Sequence, residues 1–374
     1  MQRLAFLDSL RGLAAVYVVF YHMTLLPDPH LMVPHWASMI VLNGGTAVTL
    51  FFIVSAFSLC YAMQRHAHET IYDFYVRRFF RIAPLFYTCI IFYIIRDYFY
   101  YHALHTPLEI AASVFFVFNF FPGHETGFVW ASWTIGVEMV FYLIFPFLFQ
   151  RLKTIPALTA AFFAALLGAV IFNELLMHTS FPTSVQEGYF SFCLPRVLPI
   201  FLFGMLAYRI YEEMIAVRPF PPALGYALIF ASLYGYYALL HGALNIGFAD
   251  SYYWQAIIYA ALLLGLAIRP SIIFVNRVTA YLGKISYSIY LLHPSIVLFL
   301  FPVYKRIYAL PMPVSAQFLL SAVLTLGTVL LLASLSYQYI ERPGMNLGKK
   351  ALQWLPKIAR TRSPTSIIST SAKD

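Results

Sequence analysis

Arg11 and His22 are the residues whose type and place demand a chemical explanation. Both lie inside LAFLDSLRGLAAVYVVFYHMTLL, residues 4–26, an apolar stretch just long enough to cross a bilayer. A hydrocarbon core of ~30 Å takes about 20 residues of helix, and a charge within it costs ~2.5–3.5 kcal/mol or more on insertion scales. The eleven positions from Arg11 to His22 correspond to roughly 16 Å of rise and close to three turns, so both side chains leave nearly the same face. That face cannot meet lipid and should line a polar cavity between helices.

Three further ionisable residues are expected at comparable depth. Glu138 lies two turns into the span that opens at Ser132 and Trp133, Arg196 near the outer end of CLPRVLPIFLFGM, and His293 near mid-membrane in SYSIYLLHPSI. Pro294 leaves a backbone carbonyl free beside His293. A base, a carboxylate and an arginine at one depth can form a general-base site with an oriented imidazole and a charge stabiliser. The same groups could instead pair to hold helices together. Their position inside the membrane favours the chemical role.

A second cluster, Arg77, Arg78 and Arg81 in YVRRFFRIAP, precedes the third apolar span. Arg78 and Arg81 are three apart and share a helix face. Paired guanidinium forks suit phosphate groups. Single arginines here would read as ordinary positive-inside flanking; for the spaced pair, with Arg11 opening onto the same side, both readings stay open. His30, His35, His102, His105 and His124 lack the paired spacing with a carboxylate that specifies a zinc site, so no metal is expected. A Gly-rich phosphate loop and a G-x-S-x-G elbow are both missing from the sequence.

The elements that must position these residues follow from composition. The chain of 374 residues is 61% hydrophobic and 10% charged, with mean hydropathy +0.76, whereas soluble domains carry ~25% charged residues. Its apolar runs are continuous rather than alternating, which excludes a β-barrel and predicts an all-α polytopic membrane protein. The net charge of +9 sits at helix ends and no loop is both long and basic, so the bilayer, not nucleic acid, is the expected partner. Cys60, Cys89 and Cys193 fall inside apolar runs and are expected as free thiols. The first stretch lacks an A-x-A cleavage pattern and reads as a retained helix, not a signal peptide.

Apolar runs place spans at residues 4–26, 40–63, 79–99, 132–150, 155–177, 191–211, 222–241, 252–268, 281–303 and 315–340, about ten in all. Leu108 to Phe121 is too short to cross and predicts a re-entrant or interfacial helix. With that segment not crossing, Arg151 and Lys153, Arg209 and Arg218, Arg269, Arg277 and Lys284, and the basic tail all fall on one side. The positive-inside rule makes that side, with both termini, cytoplasmic. The two halves show no repeat and no matching broken helices, which weakens a transporter architecture. Residues 345–374, rich in Ser, Thr and basic residues, are expected as a disordered cytoplasmic tail.

In combination these segments resemble the acyltransferase-3 family of integral membrane O-acyltransferases acting on carbohydrates. The resemblance starts in LAFLDSLRGLAAVYVVFYH, with its Arg and His, and continues through GGTAVTLFFIVSAFSL and the Arg78 and Arg81 pair. It runs on through SWTIGVEMVFYLIFP around Glu138, RVLPIFLFGM around Arg196, LGKISYSIYLLHPSI around His293 and YQYIERPG around Glu341. The pieces occur in order over residues 4 to 344. Thr49 and Ala56 replace an acidic residue and a glycine usual in the family's second helix, so no role is assigned there. The sequence stops soon after its last span, without the extracytoplasmic hydrolase-like domain of some members, so any acceptor would meet the membrane domain alone.

The resemblance implies a membrane acyltransferase domain over residues 1–344. It would move an acyl group, usually acetyl, from cytoplasmic acyl-CoA to a hydroxyl of a cell-envelope or exported carbohydrate or glycolipid. It further implies a bacterial inner-membrane setting and no tightly bound cofactor, acetyl-CoA being a co-substrate. His22 would be the general base, with Glu138 orienting it. Arg11, Arg78 and Arg81 would bind the donor, and Arg196 and His293 would line the acceptor cavity. Alternatives are a succinyl or other acyl donor on the same scaffold, or a glycolipid or sugar transporter.

Overall fold

The computed structural model describes residues 4–66, 70–244 and 251–354. Among them the regular elements are helices: α1 (Ala5–Leu25), α2 (His35–Val41), α3 (Ala47–Arg65), α4 (Ile71–Tyr100), α5 (Pro107–Val114), α6 (Trp133–Arg151), α7 (Ile155–Met177) and α8 (Thr183–Ser191). They continue with α9 (Leu194–Ile210), α10 (Pro222–Leu240), α11 (Ser251–Ile268), α12 (Arg277–Lys284), α13 (Ser286–Tyr308), α14 (Val314–Ser336) and α15 (Arg342–Trp354). Nine helical stretches among the described residues are long and apolar enough to cross a membrane. The protein is an all-α polytopic membrane protein.

The first expected span, α1, is not among those nine, because Asp8, Arg11 and His22 lower its apolarity. Its 21 residues still reach roughly 32 Å. It lies in the middle of the bundle against α3, α12 and α13, where polar groups meet protein instead of lipid. Stacked aromatics fill much of the core around it; the rings of Phe141 and Phe201 lie 3.9 Å apart and nearly parallel.

The expected non-crossing segment is present as α5, which has 8 residues and ends in a 3-10 turn at Phe118–Phe120. At ~12 Å such a helix cannot span a bilayer. Thr106 starts it by a reciprocal cap: its hydroxyl accepts from the Glu109 N–H, and the Glu109 carboxylate accepts from the Thr106 N–H at 2.8 Å.

Three boundaries differ from the sequence reading. The third span begins earlier, since α4 runs 30 residues from a Thr70–Asp73 capping box, and Arg77, Arg78 and Arg81 lie within it. The expected 281–303 span is broken at Ile285 into α12 and α13. The break serves a backbone contact: a Cβ on Gly283 would stand 1.8 Å from the Asp8 carbonyl oxygen, and one on Gly12 would stand 2.5 Å from the Gly283 nitrogen. Only hydrogen at both positions lets α1 and α12 touch.

Helical structure also continues past residue 344. A π-helical turn at Tyr337–Glu341 leads from α14 into α15, which packs on α4. A Cβ on Gly344 would meet Pro84 Cγ at 2.4 Å, and one on Gly348 would meet Phe80 Cβ at 2.7 Å. Residues 345–354 are thus packed helix, not disordered tail; the part of that expectation covering 355–374 lies outside the described residues.

Candidate active site

Two cavities meet at three arginines. The outer one is lined by Asp8, Arg11, Arg65, His66, Arg78, Arg81, Lys284 and Met345, with several apolar neighbours. The inner one is lined by Arg11, Ser55, Arg78, Arg81, Thr134, Glu138, Tyr142, Tyr287 and Tyr290, closed by Phe51 and Phe52. Arg11, Arg78 and Arg81 belong to both and form the neck between them. Arg78 and Arg81 come from α4 and Arg11 from α1, and all three line both cavities.

Asp8 stands 3.9 Å from Arg11, and the Glu138 carboxylate accepts hydrogen bonds from Ser55 and from Tyr142 at 2.5 Å. The Arg78 guanidinium lies 5.7 Å from the Phe74 ring centre and 5.8 Å from that of Tyr142. Its Nε is buried without an acceptor among the described residues, a donor that a ligand can use. Three guanidiniums and Lys284 outweigh Asp8 and Glu138, so the neck and outer cavity attract polyanions.

The inner cavity ends at Tyr290, whose ring centre is 5.8 Å from that of His293. Thr134 donates to the Tyr290 hydroxyl at 3.0 Å and fixes this wall. Behind it, His293 Nε2 lies 2.9 Å from His22 Nδ1, with the two rings 4.9 Å apart. His293 is fully buried and His22 is partly exposed, edge-on to Tyr21. The structure thus brings Arg11, Arg78, Arg81 and Glu138 together at one level, and His22 with His293 at another.

This geometry changes two roles. The side chain next to His22 is His293, not Glu138, whose carboxylate is bonded to Ser55 and Tyr142 in the arginine cavity. Arg196 lines neither cavity; it stacks on Tyr252 at 4.4 Å and Phe190 at 5.4 Å, where α9 meets α8 and α11. Depth along the chain suggested a common site for all four, but depth leaves open which helix is the neighbour and which way each side chain points.

Two polar groups escaped the sequence reading. Glu341, 1% exposed, accepts from Ser288, which also donates or accepts at 3.0 Å with Ser336. Its position in the YQYIERPG segment was the available signal. Buried Arg96 and Asp97 and half-buried His105 form a chain: Arg96 Nε to Asp97 Oδ1 at 2.7 Å, and His105 Nε2 to Asp97 Oδ2 at 2.9 Å. The adjacent Arg–Asp dipeptide near a helix end was the signal there. Cys60, Cys89 and Cys193 are buried and free.

The family profile described as an acyltransferase domain matches residues 4–335. Among characterised proteins, the chain is 24% identical over 379 aligned residues to O-acetyltransferase OatA of Staphylococcus aureus strain NCTC 8325, covering 94% of this chain and 58% of that protein. It is likewise 24% identical over 372 residues to peptidoglycan O-acetyltransferase OatA of Listeria monocytogenes serovar 1/2a, covering 90% of this chain and 55% of that protein. The chain therefore spans little more than half the length of these relatives. No solved structure matches it. A profile match across nearly all of the helical bundle, on a chain that carries the family's motifs in order, places this protein in the acyltransferase-3 family.

Proposed function

We propose that this protein transfers an acetyl group from acetyl-CoA to a hydroxyl of a cell-envelope or exported carbohydrate, with His22 as the general base. The observation that carries the reading is the three-arginine neck between two cavities, the inner of which ends one aromatic ring from the histidine pair. Coenzyme A has phosphates at one end and a thioester at the other end of a long thin arm. Arg11, Arg78 and Arg81 suit the phosphates. The inner cavity, lined by Phe51, Tyr287 and Tyr290, suits the arm. The roughly 16 Å between Arg11 and His22 on one helix is the length over which such an arm works.

In the reaction the acceptor oxygen attacks the thioester carbon while His22 takes the hydroxyl proton. The carbon–sulfur bond then breaks, and the proton passes from His22 to the departing thiolate. Glu138, away from the histidines, tempers the positive charge of the neck and fixes Tyr142 and Ser55. The carbohydrate class rests on the family and on the name of the Listeria monocytogenes relative, a peptidoglycan O-acetyltransferase. The arginine end carries Arg65, Lys284 and the helix ends rich in basic residues; we take it to face the cytoplasm of a bacterial inner membrane, with both termini on that side.

The test is coenzyme A release by the full chain in nanodiscs, with acetyl-CoA as donor and soluble peptidoglycan fragments as acceptor. His22→Ala should lower turnover by ~100-fold or more at unchanged thermal stability. Near-normal turnover in that variant would remove His22 from the chemistry. Absence of acetyl-CoA binding by wild type in calorimetry would remove the donor assignment, and a parallel run with succinyl-CoA separates the two acyl donors.

A further inference from the structure

We infer that His293 is a positioning residue that fixes the tautomer of His22, so that His22 Nε2 is the nitrogen that takes the proton. This rests on the proposed role of His22 as base. The His293 ring is held by its own helix: Nδ1 lies 3.2 Å from the Ile289 carbonyl oxygen. A carbonyl oxygen can only accept, so Nδ1 of His293 carries hydrogen.

A neutral imidazole with hydrogen on Nδ1 has its lone pair on Nε2. That atom faces His22 Nδ1 at 2.9 Å, so His22 Nδ1 must be the donor. The lone pair of neutral His22 is then on Nε2, the nitrogen that is not bonded to His293. The two bonds, from the Ile289 carbonyl to His293 and from His293 to His22, together allow one protonation pattern of the neutral pair.

The arrangement has a chemical consequence beyond orientation. When Nε2 gains the acceptor's proton, the new imidazolium keeps its Nδ1–H bond to a buried lone pair. A neutral imidazole here takes the place that a carboxylate holds in other base-and-orienter pairs. The oxygen–hydrogen bond of the acceptor breaks, the Nε2–H bond forms, and the same proton later leaves for the thiolate. His293 neither gains nor loses a proton in the cycle.

The test compares His293→Leu, His293→Gln and His293→Asn in nanodisc-embedded full chain, with acetyl-CoA and peptidoglycan fragments as substrates. A glutamine oxygen can sit where Nε2 was and accept from His22; the shorter asparagine keeps the turn but cannot reach, and leucine offers no acceptor. The expected result is a kcat loss of ~100-fold or more in Leu and Asn, recovery to within about tenfold of wild type in Gln, and an acetyl-CoA KM within about twofold in all three. Wild-type kcat in both Leu and Asn, or Gln as slow as Asn in folded protein, would overturn the assignment. If leucine lowers the melting temperature sharply, the Gln–Asn pair alone decides. His22→Ala run beside them separates the two ideas: an inactive His22→Ala with a fully active His293→Asn refutes only the positioning role, whereas an active His22→Ala refutes the base.

Discussion

Arg78 and Arg81 face Arg11 across the neck, and their work is separable from that of the histidines because the two groups occupy different levels of the bundle. Removing forked, partly desolvated donors from a phosphate site costs about 1.5–3 kcal/mol per bond. Arg78→Ala with Arg81→Ala should therefore raise the KM for acetyl-CoA by at least about tenfold, with kcat far less affected, as read from saturation curves of coenzyme A release. Substitution by lysine should restore only part of the affinity, since a point charge lacks the fork. Equal donor KM in the double variant would remove these residues from the donor site. These residues were legible in the sequence because charge in an apolar segment is itself anomalous, and a spacing of three on a helix forces a shared face. The His22–His293 bond was not, because α1 and α13 are joined only by packing that hydropathy does not encode. Glu138 was expected beside His22 for the same reason: its height was readable but its rotation and its neighbours Ser55 and Tyr142 were not.

At the scale of the element, helices were readable wherever a bilayer-length run stands between polar ends, and least readable where a contact overrides the run. The continuous apolar pattern over residues 281–303 hides the break at Ile285, which exists because α12 must lay Gly283 on the backbone of α1. Asn276 caps α12, whose exposed face carries Arg277 and Lys284 and whose buried face carries Thr279 and Gly283; this amphipathic pattern was the clue to a separate helix. The same contact holds α1 in the register that sets Arg11 at the neck. Gly283→Ala places a Cβ against main chain, which cannot swing aside, so α1 or α12 must shift. The cost is in the range of ~1–3 kcal/mol, and the melting temperature in detergent should fall by at least about 2 °C, with acetyl-CoA KM rising as Arg11 moves. Gly327→Ala, where nothing lies within 4 Å of the added atom, supplies the contrast and should be neutral or slightly stabilising, as alanine is favoured over glycine in a helix. Equal stability of Gly283→Ala and wild type would show that the α1–α12 contact is looser than described.

For the whole molecule, the two ends of the bundle differ in character. One end gathers Arg65, Arg78, Arg81, Lys284 and α15; the opposite end carries His22, α5 and the loop from His102 to Ala131. The chain reverses between them often enough that a single misjudged span would swap sides for everything after it. The expectation that Leu108 to Phe121 does not cross therefore bears on every later span, and α5, at 8 residues, agrees with it. The proposed orientation rests on charge alone and can be checked without any activity. Leu104, 81% exposed just past α4, and Trp354, 86% exposed at the end of α15, mark the two ends. The natural cysteines are all buried, so background labelling should be low. In intact bacterial cells a membrane-impermeant maleimide should label Leu104→Cys, and should label Trp354→Cys only after the inner membrane is opened. The reverse pattern would place the arginine neck outside, away from any cytoplasmic thioester, and would exclude the proposed donor route even if both histidine variants behaved as expected.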